Sequence, residues 1–75
     1  MKFIEMSGAT LRDVVNSDEI PGEELRNTGL EDTSIVRVNQ QGDIEIRRAE
    51  RWDVIGGLLG DFEQRVKAAT GLDWA

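Results

Sequence analysis

The chain has no cysteine and no histidine, and only one proline, in 75 residues. Without cysteine there is no disulfide and no thiolate metal site, so neither staple that small domains use is available in that form. Without histidine the commonest metal ligand and the commonest general base are both missing. No run of about 18 apolar residues occurs, so no segment is expected to span a membrane. The start, Met1-Lys2-Phe3-Ile4-Glu5, carries too short an apolar stretch for a signal peptide. The cysteine-free composition fits a reducing compartment, and the expectation is a cytoplasmic protein.

What is present is mostly charge. The net charge is −6. Residues 13–32 account for it, with Asp13, Asp18, Glu19, Glu23, Glu24, Glu31 and Asp32 against the single base Arg26. Such a segment is a solvated face that keeps a protein soluble, or an acidic docking rim for a basic partner. In the second reading Glu23, Glu24, Glu31 and Asp32 form the rim. The overall field disfavours a phosphate backbone as partner. The length suits one domain over residues 1–75, and a core this small supplies only roughly 3–5 kcal/mol of net stability.

The spacing of apolar residues predicts an α+β fold. Lys2 to Met6 reads as a strand with Ile4 and Met6 on one face and Phe3 on the other. Thr10 opens a capping box with Asp13, and Leu11, Val14 and Val15 follow at helical spacing. Pro21, Glu23 and Glu24 mark the start of a second short helix that Gly29 ends. Both short helices are expected on the rim. The strongest local prediction is a hairpin over 34–48, turning through Gln40-Gln41-Gly42 with Gly42 left-handed. Its register pairs Arg37 with Glu45, Val38 with Ile44 and Val36 with Ile46. That register gathers four β-branched residues on one face, and a one-residue slip would scatter them.

Residues 49–57 read two ways. Trp52-Asp53-Val54-Ile55 is a further strand running into a Gly56-Gly57 turn, or a helix starts near Ala49. The strand is preferred, because each of Gly56, Gly57 and Gly60 would cost a helix about 1 kcal/mol. A helix over 58–70 follows, with Leu58, Leu59, Phe62, Val66 and Ala69 as its apolar stripe, Gly71 as its cap and Leu72 packing back on Val66. The expected fold is thus a small antiparallel sheet packed on one C-terminal helix, with Trp52 in the core.

Few residues of the chain are candidates for chemistry. No serine sits in an elbow or oxyanion motif, and the available bases are lysines or carboxylates. The adjacent acid pairs lack the alternating oxygen spacing of a calcium loop. The expectation is a non-catalytic protein without cofactor or metal. The Gly56-Gly57-Leu58-Leu59-Gly60 string offers a small-ligand or anion site at a helix start. It matches no phosphate-binding loop, and Asp61 opposes an anion there. Its alternative role is to let elements, or subunits, approach closely. Arg37, Arg47, Arg48 and Arg51 form a basic stripe on and after the hairpin, suited to nucleic acid or to protecting an exposed sheet. The string Val36-Arg37-Val38-Asn39-Gln40-Gln41-Gly42-Asp43-Ile44-Glu45-Ile46 resembles the hairpins of swapped-hairpin transition regulators of the antitoxin kind, which implies nucleic-acid binding. Arg47 stands where that pattern has proline, and Asp43 and Glu45 interrupt the basic face, so the family is not assigned.

The favoured expectation is a binding or assembly module, docking on a protein or on further copies of itself. Trp74, Leu72, Gly56, Gly57 and Gly60 are the expected contact positions. Trp74 either folds back on the core or serves as an interface anchor.

Overall fold

The structure is a computed structural model and describes all 75 residues. Four strands form one antiparallel sheet in sequence order: β1 (Phe3–Ser7), β2 (Ile35–Asn39), β3 (Asp43–Arg47) and β4 (Trp52–Gly57). Three helices complete the chain: α1 (Gly8–Val14), α2 (Gly22–Asn27) and α3 (Phe62–Thr70). No helix is long and apolar enough to cross a membrane.

The hairpin has the expected register, with Val36 opposite Ile46, Arg37 opposite Glu45 and Val38 opposite Ile44. Asn39 explains why the turn closes there. Its buried Oδ1 accepts from the N–H groups of Gln41 (2.9 Å) and Asp43 (3.0 Å), and its Nδ2 donates to Asp43 Oδ2 (3.0 Å). Gly42 adopts φ +89°, which a side chain would resist. β1 adds to the other side of β2, with Ile4 opposite Val38 and Met6 opposite Val36. Alternation then sends Ile4, Met6, Val36, Val38, Ile44 and Ile46 to one face, where all six are buried.

The helical layer covers that inner face. α1 contributes Leu11 and Val14, α2 contributes Leu25, and α3 contributes Val66. Ile20, Leu30 and Leu58 reach in from loops. Burying a side chain of this type is worth about 1.5–3 kcal/mol each, so this cluster dominates the favourable side of folding.

Several boundaries differ from the sequence reading. α1 belongs to the core, not the rim, since Leu11 and Val14 are fully enclosed. Its cap is Ser7, whose Oγ accepts from the Thr10 N–H at 3.1 Å, so the helix begins without a linker after β1. β4 continues through Gly56 and Gly57, which are strand residues and not a turn. α3 begins at Phe62, four residues later than expected, because Gly60 takes φ +64° and interrupts the backbone path. Leu59 and Leu72 are exposed, so neither joins the apolar stripe or packs on Val66.

β4 also carries a bulge. Val54 lies opposite Glu45 and Gly56 opposite Ile44, leaving Ile55 as the extra residue. Before the bulge Trp52 and Val54 share the outer face with Glu45. After it Gly56 turns inward beside Ile20, and a Cβ at Gly56 would stand 2.4 Å from Ile20 Cδ1.

The junction of β1 and α1 is tighter still. A Cβ at Gly8 would fall 1.9 Å from the Glu31 carbonyl oxygen, which is backbone and cannot swing away. Gly8→Ala should therefore destabilise by about 3 kcal/mol. Gly22→Ala, also near a helix start but with open space around its Cβ position, should be neutral or stabilising by up to about 1 kcal/mol. Denaturant unfolding midpoints for the two variants test this; equal effects would place the close approach elsewhere.

Candidate functional site

Helices pack on the inner face of the sheet, and the outer face looks to solvent. Phe3 and Glu5 on β1, Ile35 and Arg37 on β2, Glu45 and Arg47 on β3, and Trp52 and Val54 on β4 lie on it by alternation and register. Arg37 is at its centre. Its Nε donates to Glu45 Oε1 at 2.7 Å. Its Cζ lies 3.7 Å from the Phe3 ring centroid and 4.2 Å from that of Trp52. The guanidinium thus links an aromatic on one edge strand to an aromatic on the other. Each ring contact is worth about 0.5–1 kcal/mol at such a site. The rings also shield the ion pair: the side chains of Arg37 and Glu45 are 24% and 15% exposed. Screening by water and salt is weaker there than for a surface pair.

Around this stack the face is open and mixed. Ile35 and Val54 are 53% and 61% exposed. Glu5 and Arg47 are exposed at either side, and the Arg47 Cζ lies 5.7 Å from the Trp52 ring. Beside β1 the face runs into a shallow pocket of about 330 Å³ bordered by Phe3, Glu5, Arg37 and Leu72. Residues 72–75 form its far wall. Ala75 and Phe3 exchange backbone hydrogen bonds (2.9 and 3.0 Å), and Lys67 Nζ meets Asp73 Oδ1 at 3.0 Å. Hydrogen bonds from Lys67 hold the Asp73 carboxyl below its ordinary range, and those to Glu63 and Asp73 raise Lys67.

The expected contact positions are not brought together. Trp74 is half-buried and packs against the core, and Leu72 is exposed, both beside β1. Gly56 and Gly57 lie in β4 at the opposite edge of the sheet. Gly60 stands in open space in the following loop. Glu23, Glu24, Glu31 and Asp32 are all exposed, the first two on α2 and the others before β2, with Asp32 paired to Arg12. The basic stripe is broken up. Arg37 is engaged in the stack. Arg48 donates to Asp53 at 3.2 and 3.1 Å, and Arg51 lies 3.8 Å from the same carboxylate. Trp52, expected in the core, lies half-buried on the outer face, because it pairs with Arg47, which alternation along β3 places there.

At the glycine string the anion is part of the chain. Glu19 Oε2 accepts from the Leu59 N–H (2.6 Å) and from Arg65 Nη2 (2.7 Å). Glu19 Oε1 accepts from the Asn16 N–H (2.9 Å) and from Arg65 Nη1 (3.0 Å). Arg65 also donates to the carbonyls of Val14 (2.5 Å) and Leu59 (2.9 Å). The Glu19 side chain is 3% exposed. No local pattern announces this pair, whose members stand 46 residues apart. Sequence reasoning also missed Phe3 and Trp52 as partners of Arg37, although strand alternation already put Phe3 and Arg37 on one face.

Comparison with family models, curated proteins and solved structures finds no match.

The Glu19 cluster generates a pH prediction. Hydrogen bonds from Arg65, helped by the Leu59 and Asn16 N–H groups and opposed by burial, lower the Glu19 carboxyl from 4.5 to about 2. A folded value below the unfolded one gives stability that is complete above about 4.5 and lost as pH falls towards 2. The contribution is about 3 kcal/mol, taking 1.36 kcal/mol per unit. Glu19→Gln should lower the stability at pH 7 and flatten the loss between pH 4.5 and 2, read by denaturant unfolding across that range. Parallel losses in the two proteins would remove Glu19 from the acid response.

Proposed function

We propose that this protein is a non-catalytic binding or assembly module that holds a protein partner on the outer face of its sheet. The observation that carries the reading is the Phe3–Arg37–Trp52 stack spanning that face, flanked by exposed Ile35 and Val54. Arginine and tryptophan are the residue types that dominate binding energy at protein interfaces. Here they are held in place by an ion pair and by each other, so little side-chain entropy remains to be lost on contact. The cysteine-free sequence suits a reducing, cytoplasmic setting.

Two other readings draw less support. For nucleic acid, Arg37 and Arg48 are engaged with Glu45 and Asp53, and Glu5 shares the face. For a small anion at the glycine string, the Leu59 N–H is taken by Glu19.

A photo-crosslinking residue at position 54, in cells that make the chain, should join it to a protein. The same residue at position 24 on α2 should not. Crosslinks at 24 and none at 54 would move the contact surface to the acidic rim, and none at either would sink the reading. Val54→Asp should abolish the interaction while changing stability by no more than about 0.5 kcal/mol, since the position is exposed.

A further inference from the structure

We propose that the cavity between α1 and α2 binds a small monocarboxylate with an apolar tail, of the medium-chain fatty-acid class. The cavity lies in the helical layer behind the sheet, so the inference is independent of the outer face and of any partner held there. It measures about 420 Å³, which is within the range of small-molecule sites. Val15, Ile20 and Leu25 supply its apolar lining. Ile20 and Leu25 are buried core residues, and Val15 is half-buried.

Charge is distributed unevenly around this cavity. Residues 13–32 carry Asp13, Asp18, Glu19, Glu23, Glu24, Glu31 and Asp32, and none of them lines it. The two charges that do are both positive, Arg12 from α1 and Arg26 from α2. Helical phase produces the separation, because successive residues advance by about 100° around the axis. On α1 this puts Arg12 and Val15 on the same flank and turns Asp13 away. On α2 it puts Gly22 and Arg26 on one side of the buried Leu25 and Glu24 on the other. Glu19, in the loop between the helices, is turned to Arg65 instead.

The two guanidiniums are in different states. Arg12 is anchored, with Nη1 paired to Asp32 and Nη2 donating to the Leu30 carbonyl at 3.0 Å. Arg26 is exposed, and none of the ion pairs within the chain includes it. Its planar fork matches a carboxylate, which it can hold through two parallel N–H donors. The exposed Ser17 hydroxyl stands on the same cavity as a further donor. An apolar tail then lies against Val15, Ile20, Leu25 and the methylene stem of Arg12. A single carboxylate suits this chain better than a doubly charged phosphate, which the net charge of −6 opposes more strongly. Gly22 keeps the space open: nothing stands within 4 Å of a Cβ built there. Its φ is not positive, so a larger side chain fits the backbone and takes the room that the tail needs.

Titration of the full chain with octanoate at pH 7, followed through backbone amide NMR shifts, tests this. Octanoate should shift Val15, Ile20 and Leu25 saturably, with a Kd on the order of 1 mM. Acetate lacks the tail and octanol lacks the charge, and each should bind about tenfold more weakly. Arg26→Gln should raise the octanoate Kd about fivefold and leave octanol binding unchanged. Arg51→Gln makes the same charge change at an exposed position outside the cavity and should leave the octanoate Kd as it is. Gly22→Leu should remove saturable binding without lowering the unfolding midpoint. No saturable shift with octanoate up to roughly 30 mM overturns the site. Octanol binding as tightly as octanoate, or an Arg26→Gln effect matched by Arg51→Gln, overturns recognition of the carboxylate by Arg26. Acetate binding as tightly as octanoate overturns the apolar tail. Octanoate binding that survives Gly22→Leu, or that shifts residues away from α1 and α2, overturns this cavity as its place.

Discussion

The carboxylate of Glu19 is the tie on which the helical layer depends. α3 sends one fully enclosed side chain, Val66, into the core, too little apolar burial to fix a nine-residue helix by itself. Arg65 supplies the rest of the attachment. It grips Glu19 with both terminal nitrogens and reaches the carbonyl of Val14 at the end of α1. The same carboxylate takes the N–H groups of Asn16 and Leu59. One acid therefore gathers the end of α1, the loop before α2, the loop after β4 and the body of α3. Four donors on one buried carboxylate favour its charged form strongly, which is why its pKa falls despite the loss of water.

The two faces of the sheet are stabilised by different physics. The inner face is aliphatic and closed by non-directional burial. The outer face has no layer above it, and a guanidinium held between two rings and a carboxylate covers part of it instead. That arrangement is directional. It sets Arg37, Phe3 and Trp52 in fixed positions without removing them from solvent, so the face is ordered and still available.

The hairpin was legible from sequence because its information is local. Alternation, a left-handed glycine and an opposite-charge pair all point to one register, and the structure has that register. The strand at the start of the chain was legible for the same reason. α1 was misplaced because its role depends on Ser7 capping it at the end of a strand, and on Gly8 fitting under the Glu31 carbonyl, neither of which periodicity reveals. The start of α3 was misplaced because Gly60 turns left-handed and the Leu59 N–H before it is taken by Glu19, far away in sequence. Of the candidate site, Arg37 and its pairing with Glu45 were readable. Of its aromatic neighbours Phe3 was placed on the same face by alternation, but Trp52 was not, because its face is set by its pairing with Arg47 across the turn between β3 and β4.

The bulge in β4 has an evolutionary consequence. Side-chain direction in a strand is a two-valued quantity, and an unpaired Ile55 switches its value midway along β4. Upstream of it Trp52 and Val54 serve the outer face; downstream Gly56 makes room for Ile20. Removal of one residue from this strand would exchange inside for outside over half its length, while substitutions leave the phase intact. β4 itself can vary only by replacement, so its residue count should be among the slowest features of this chain to drift.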